Sequence, residues 1–97
     1  MKNTNKSVLL NNIEINNEKK IILIAGPCVI ENRSHALEMA SKIKEICDNL
    51  NIQFIYKSSF DKANRSSLNS YRGLGIDEGL RILKKIKDEL NIPIITD

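Results

Sequence analysis

The chain has 97 residues, enough for one small domain, and its 41% apolar and 28% charged residues are typical of a globular protein. The net charge of +3 does not indicate nucleic-acid binding, because the lysines fall on helical stretches beside acidic residues, without interleaved aromatics. No apolar run reaches the ~18 residues of a membrane span. The polar start has no apolar leader segment, and two cysteines are too few for a secreted disulfide scaffold. We therefore expect a cytoplasmic protein with no nucleic-acid or membrane partner.

Two short β-type segments come first in the chain. Val8–Leu10 and Ile13–Ile15 flank two asparagines, and asparagine tolerates the positive φ of tight turns. Residues 8–16 are therefore predicted to form a β-hairpin. Residues 21–25 are apolar without alternation, which is typical of a strand buried on both faces in a parallel sheet.

Strands and helices alternate in the rest of the chain. Apolar residues recur at spacings of three and four in two amphipathic segments, and Asn32 or Ser34 could cap the first of these helices. The predicted order is helix, strand, helix, strand at residues 34–50, 52–56, 77–90 and 93–96. This alternation predicts an α/β fold built from parallel βαβ units. Because the last strand lacks a covering helix, we expect the chain to be a fragment of a longer protein.

A cationic, hydroxyl-rich segment follows the second strand of this sheet. It contains Lys57, Lys62 and Arg65, interspersed with Ser58, Ser59, Asn64, Ser66 and Ser67. Sites in α/β folds collect at the carboxyl ends of parallel strands. Ammonium and guanidinium groups with hydroxyl donors suit phosphate and carboxylate. The segment therefore predicts a small, doubly anionic substrate, although its composition would also fit an ordinary polar surface loop.

Other candidate site residues lie at the same predicted edge. Cys28 follows Gly-Pro at the end of the first strand of this sheet, and a thiolate is a strong ligand for Zn²⁺ or Fe²⁺, although a lone cysteine is also a common small core residue. Glu31 and Asp97 could orient a lysine or bind a sugar hydroxyl. Cys47 lies on the apolar helix stripe and is expected in the core, whereas His35 is expected to be exposed.

Residues 57–67, KSSFDKANRSS, resemble the signature loop of the 3-deoxy-D-manno-octulosonate 8-phosphate synthase family. Residues 70–73, SYRG, and 94–97, IITD, are similar to the family in the same order. Residues 24–28, IAGPC, resemble the first strand of its metal-dependent branch, since the other branch has Asn in place of Cys28. The resemblance covers residues 8–97. It implies that residues 1–97 are the N-terminal portion of one (β/α)₈ TIM barrel, with the hairpin at 8–16 and three barrel strands and two helices in 21–97.

The resemblance also implies an activity. Phosphoenolpyruvate condenses with D-arabinose 5-phosphate and water to give 3-deoxy-D-manno-octulosonate 8-phosphate and phosphate, a step of lipopolysaccharide Kdo biosynthesis. The implied residues are catalytic Lys62 and Asp97, substrate-binding Lys57, Ser59, Lys62, Asn64, Arg65 and Ser66, and the metal ligand Cys28. Lys57 and Lys62 would bind phosphoenolpyruvate, and Asn64, Arg65 and Ser66 would bind the sugar phosphate. The parent protein would carry a divalent metal (Zn, Fe or Mn) and form a homotetramer.

The chain lacks several residues that the family uses for metal and phosphate binding. The family's other metal ligands and further phosphate-binding residues come from later strands, so we expect the 97 residues alone to be inactive. Two alternatives stay open. One is the sister synthase that uses erythrose 4-phosphate, although its loop is typically of Arg-Thr-Ser-Pro type. The other is a non-catalytic remnant or an interaction partner of a complete barrel.

Overall fold

The computed structural model describes residues 6–10, 13–16, 20–61 and 73–97. The secondary-structure elements in these residues are β1 (Val8–Leu10), β2 (Ile13–Ile15), β3 (Ile22–Ala25), α1 (Arg33–Asn49), β4 (Gln53–Lys57), α2 (Ile76–Leu90) and β5 (Ile94–Ile95). The predicted α/β alternation is confirmed. No helix in the described part of the chain is long and apolar enough to cross a membrane.

The first two strands form an antiparallel pair apart from the main sheet. Val8 lies opposite Ile15, and Leu10 lies opposite Ile13. Ile13 is buried and lines a cavity of about 510 Å³ together with Gln53 at the start of β4 and Pro93 just before β5. The pair therefore lies against the amino-terminal ends of the parallel strands, away from the edge where the site residues were predicted.

The main sheet is parallel, with strand order β3-β4-β5. Leu23 pairs with Phe54, and Tyr56 pairs with Ile94. Helices α1 and α2 contact each other and pack on β4 and β5 respectively. Because side chains alternate along a strand, Phe54 and Tyr56 point to the helix-covered face, whereas Ile55 and Lys57 point to the opposite face.

The hydrophobic core lies between the sheet and the two helices. The strands contribute Phe54 and Tyr56, whose rings meet edge to face with centroids 6.3 Å apart. The helices contribute the buried residues Ala36, Ala40, Cys47, Ile82, Leu83 and Ile86. Full burial of a large apolar side chain stabilises a fold by about 1.5–3 kcal/mol, so these residues hold the helices on the sheet. The prediction that Cys47 belongs to the core is confirmed.

The opposite face of β3 is open in the described chain. Ile24, which pairs with Ile55 on that face, is 51% exposed, and on the helix side of β3 Ile21 and Leu23 are 80% and 38% exposed. The prediction that residues 21–25 are buried on both faces is therefore wrong for this structure. In addition, β3 is an outer strand of the described three-stranded sheet, with β4 as its partner on one side.

The helix ends follow local capping chemistry. Asn32 caps α1, because its side-chain oxygen accepts a hydrogen bond from the His35 amide at 2.8 Å. Of the two candidate caps, Asn32 is thus the one used. The His35 side chain is half-buried and its Nδ1 atom has no partner among the described residues, so the prediction that it is exposed is wrong. Asp77 and Glu78 occupy the first turn of α2, where the helix dipole favours acidic groups.

Candidate active site

The carboxyl ends of β3, β4 and β5 enclose a cavity of about 310 Å³. Its lining residues are Gly26, Pro27, Cys28, Lys57, Ser58, Ser59 and Asp97. Four predicted site residues, Cys28, Lys57, Ser59 and Asp97, thus lie around one cavity at the predicted edge of the sheet. The other four, Lys62, Asn64, Arg65 and Ser66, lie outside the described residues. The roles of all eight remain predictions.

Lys57 lies on the face of the sheet that the helices do not cover. It is the last residue of β4 and pairs with Ile95 of β5. It shares a face with Ile55, which in turn pairs with Ile24 of β3. The exposed Lys57 ammonium is therefore available to an anion at the strand ends.

Gly26 allows β3 to end directly against β4. A Cβ atom at this position would overlap the Lys57 carbonyl oxygen and would lie 3.2 Å from the Tyr56 ring. Any other residue would push the two strand ends apart. The absence of a side chain at Gly26 therefore brings the Cys28 turn next to Lys57 and Ser59.

Backbone hydrogen bonds continue this junction beyond the regular strands. The Ser59 amide donates to the Cys28 carbonyl at 3.3 Å, and the Ile30 amide donates to the Ser59 carbonyl at 2.9 Å. Val29 and Ser59 form an isolated parallel bridge. The residues that flank the Cys28 thiol are thus fixed to the end of β4, while Cys28 itself is exposed.

Ser58 links the ends of all three parallel strands. Its hydroxyl donates to the Pro27 carbonyl at 2.6 Å, and its amide donates to the Ile95 carbonyl at 3.3 Å. Its carbonyl accepts a hydrogen bond from the Thr96 hydroxyl at 2.8 Å. Since Ser58 is 2% exposed, the grouping of its hydroxyl with those that suit a bound anion is wrong. The sequence could have indicated the burial of Ser58, because side chains alternate along a strand and Ser58 therefore lies on the same face as the apolar Phe54 and Tyr56.

Ser59 and Asp97 meet across the ends of β4 and β5. The Ser59 hydroxyl donates to the Asp97 Oδ1 atom. A serine hydroxyl has one hydrogen, so in this arrangement Ser59 offers a ligand only acceptor lone pairs, and the second Asp97 oxygen can accept from a further donor. A sugar hydroxyl fits these groups better than a phosphate oxygen does.

Tyr56 lies in the core just below the cavity. Its hydroxyl is buried and has no hydrogen-bond partner among the described residues. Burial raises the pKa of the Tyr56 phenol above its ordinary value of 10.0, and the nearby Ser58 hydroxyl opposes part of this rise. The phenol is therefore neutral at physiological pH and contributes no charge to the site.

Two glycines bring the ends of the segment 61–72 together. Gly73 has φ of 128°, and a Cβ atom there would overlap the Phe60 carbonyl oxygen. A Cβ atom at Gly79 in α2 would lie 2.6 Å from the Phe60 Cβ atom. Phe60 thus contacts both the residue that follows the segment and the helix that comes next. These close approaches fix the positions of Phe60 and Gly73 relative to α2.

The described residues do not by themselves form a metal centre. Cys28 and Asp97 line the same cavity, but the part of the chain that the structure describes contains no group of three His, Cys, Asp or Glu residues placed to hold an ion. A catalytic zinc site normally has at least three protein ligands. Cys28 could supply one thiolate, and residues outside the described ranges would have to complete the site.

A parallel α/β sheet with a polar cavity at its carboxyl edge has the layout of an enzyme active site. The sequence model of the DAHP synthetase I family matches residues 2–97, so the chain belongs to that family. It is 61% identical over 92 residues to the 2-dehydro-3-deoxyphosphooctonate aldolase of Rickettsia typhi, covering 95% of this chain and 34% of the relative. The enzyme of the same name from Fusobacterium nucleatum is 54% identical over 90 residues, covering 93% of this chain and 32% of the relative.

A third relative with this name comes from Hydrogenovibrio crunogenus and is 60% identical over 80 residues, covering 82% of this chain and 29% of the relative. The chain therefore spans about a third of the length of the curated relatives that it matches. Their name denotes the octulosonate 8-phosphate synthase, so the resemblance drawn from residues 57–67 is confirmed.

Proposed function

We propose that the chain supplies the first third of a 3-deoxy-D-manno-octulosonate 8-phosphate synthase. The observation that carries the proposal is the cavity that brings Lys57, Ser59 and Asp97 together where residues 57–67 leave β4. Relatives that share 54–61% of its residues are named for this product, which supports the same reaction here. The chain alone is expected to be inactive, because it spans about a third of their length.

The reaction joins two anions, and the proposed site lowers the cost of their approach. C3 of phosphoenolpyruvate bonds to the aldehyde carbon of arabinose 5-phosphate, water adds at C2, and inorganic phosphate leaves. Lys57 and Lys62 would neutralise the carboxylate and phosphate of phosphoenolpyruvate, and Asn64, Arg65 and Ser66 would bind the sugar phosphate. Because these cations are already held in place when the substrates bind, the solvent does not have to reorganise during the reaction. In the proposed mechanism Lys62 also supplies a proton near the reacting carbons.

Asp97 would bind and orient the sugar rather than a phosphate. Its carboxylate would repel a phosphate placed directly against it, whereas it can accept a hydrogen bond from a sugar hydroxyl. The Ser59 hydroxyl holds one carboxylate oxygen and so restricts rotation of the Asp97 side chain. The two residues together would select the direction from which the aldose enters the cavity.

We further propose that the parallel sheet is the N-terminal portion of a (β/α)₈ barrel. Helices cover one face of β3-β4-β5, while Ile24 on the other face is 51% exposed. A barrel would bury such a face in its interior. The family model and the roughly threefold greater length of the relatives support this arrangement.

The whole protein is proposed to carry a divalent metal, Zn, Fe or Mn, with Cys28 as one ligand. The exposed thiol at the cavity supports this, and the other ligands would come from outside the described residues. A metal bound there would supply a Lewis acid for water or the aldehyde. A homotetramer in the cytoplasm with small phosphorylated substrates also belongs to this proposal, on the strength of the resemblance.

A chimaera tests the proposal directly. In it, this chain replaces the matching 92 residues of the Rickettsia typhi relative, and the unaltered relative is the control. We expect product from phosphoenolpyruvate with arabinose 5-phosphate, and far less with erythrose 4-phosphate. Preference for erythrose 4-phosphate would overturn the proposal in favour of the sister synthase, which the family description favours as second candidate. A folded chimaera that uses neither aldose would favour the non-catalytic reading.

A further inference from the structure

The buried hydroxyl of Ser58 donates a hydrogen bond to the turn that carries Cys28. Ser58 is 2% exposed, and its Oγ atom lies 2.6 Å from the Pro27 carbonyl oxygen. Burial of a hydroxyl is costly unless it is hydrogen-bonded, so this bond is required by its position. Ser58 therefore has a specific partner in the turn after β3, and although it lines the cavity, its hydroxyl proton is donated within the fold.

The accepting carbonyl belongs to the peptide unit that joins Pro27 to Cys28. A peptide unit is planar, so fixing the Pro27 oxygen also fixes the nitrogen and Cα atom of Cys28. The second tie to this turn, from the Ser59 amide to the Cys28 carbonyl, is longer at 3.3 Å. Of these two hydrogen bonds to the turn, the one from the Ser58 hydroxyl is thus the shorter.

Ser58 is itself held from the opposite side. The Thr96 hydroxyl donates to its carbonyl at 2.8 Å, and its amide donates to Ile95 at 3.3 Å. These bonds tie the residue to β5, which ends one residue before Thr96. The position of the turn after β3 is therefore set relative to both neighbouring strands.

We propose that Ser58 is a positioning residue, which holds the Pro27–Cys28 peptide plane so that the Cys28 thiol faces the cavity beside Lys57 and Asp97. It touches no substrate and acts through Cys28. The proposed effect of Ser58 on the position of Cys28 is argued from contacts within this chain. The proposed effect of Ser58 on turnover rests on the proposed synthase function.

The test uses Ser58→Ala in the chimaera, with thiol labelling by N-ethylmaleimide measured peptide by peptide by mass spectrometry. We expect Cys28 to label about fivefold faster, the change that corresponds to one lost hydrogen bond. Cys47 is 1% exposed and should stay slow, which reports that the core is intact. The kcat with arabinose 5-phosphate should fall by a similar factor while KM changes little.

Two variants serve as comparisons. Ser58→Thr keeps the hydroxyl and should remain closer to the parent than Ser58→Ala in both readouts. Ser41→Ala removes an exposed serine from α1 and should change neither.

An unchanged Cys28 labelling rate in a folded Ser58→Ala protein would contradict the proposal. So would faster labelling of Cys28 and Cys47 together, because that would indicate a merely structural role. Loss of activity in the unaltered chimaera would instead refute the synthase function, and the labelling comparison would still decide the positioning role.

Discussion

The Ser59 hydroxyl donates a hydrogen bond to the Asp97 carboxylate, and so joins the ends of β4 and β5 at the cavity. The pair is the direct side-chain contact between two of the predicted site residues in the described chain. This hydrogen bond restricts the rotation of the Asp97 carboxylate. Its loss should therefore weaken the use of the sugar substrate and leave the packing of the core unchanged.

We predict that Ser59→Ala and Asp97→Asn in the chimaera each lower kcat/KM for arabinose 5-phosphate by about tenfold, the loss expected for one charge-assisted hydrogen bond. The two effects should be less than additive, since Asp97→Asn removes the charge from the hydrogen bond that Ser59→Ala abolishes. Steady-state kinetics of the two single variants and the double variant measure this coupling. Full additivity would show that the two side chains act independently.

Gly73 provides a second test, of the ends of the segment 61–72. We predict that Gly73→Ala raises KM for arabinose 5-phosphate on the order of tenfold, because the new Cβ atom would displace Phe60 and with it the start of that segment. The matched control is Gly75→Ala. Gly75 also has positive φ, of 86°, but nothing lies within 4 Å of its Cβ position, so only the backbone strain is shared.

The control variant should lose stability by about 1 kcal/mol and keep its KM. Equal KM values for the two variants would mean that the Phe60 contact has no influence on substrate binding. Urea unfolding of both proteins separates the loss of stability from the loss of affinity.

The alkaline stability of the chain should depend on Tyr56. Burial raises the pKa of its phenol, so the folded state holds the proton more tightly than the unfolded state does. The resulting stabilisation is complete below the ordinary pKa of 10.0 and is lost as the pH rises from there through the folded pKa. Tyr56→Phe abolishes this alkaline loss of stability, because it removes the phenol hydroxyl, which has no partner among the described residues.

We therefore expect Tyr56→Phe to match the parent within about 1 kcal/mol near pH 8 and to exceed it near pH 11, in urea unfolding at both values. The pKa of the buried Cys47 thiol is also raised, from 9.0, and its contribution remains in both proteins. The comparison thus isolates the phenol. Parallel pH profiles for the two proteins would refute the assignment to Tyr56.

The local patterns of the sequence predicted most of the fold. The helix predicted at 34–50 is observed at Arg33–Asn49, and that at 77–90 is observed at Ile76–Leu90. These predictions succeed because helical periodicity and the Asn32 cap are short-range properties of the chain. The proximity of Cys28, Lys57 and Asp97 could be predicted without knowledge of side-chain contacts, because sites in parallel α/β sheets lie at the carboxyl ends of the strands.

What the sequence could not predict depends on groups that are distant along the chain. The exposure of Ile24 depends on which element covers that face, and its apolar character gives no information about this. The burial of Ser58 depends on Pro27, thirty-one residues away, which accepts its hydrogen bond. The polar composition after β4 concealed the fact that strand alternation continues to Ser58.

The proposed function requires the cationic segment after β4 to bind two phosphorylated anions. The most direct measurement is the affinity of the chimaera for each substrate by calorimetry, in Lys62→Ala, in Arg65→Ala and in an exposed control, Lys42→Ala, whose side chain pairs with Glu38 on the surface of α1. We predict that Lys62→Ala weakens phosphoenolpyruvate binding, and Arg65→Ala arabinose 5-phosphate binding, each by at least about tenfold. Lys42→Ala should change neither affinity. Unchanged affinity for both substrates in the Lys62 and Arg65 variants would contradict the claim.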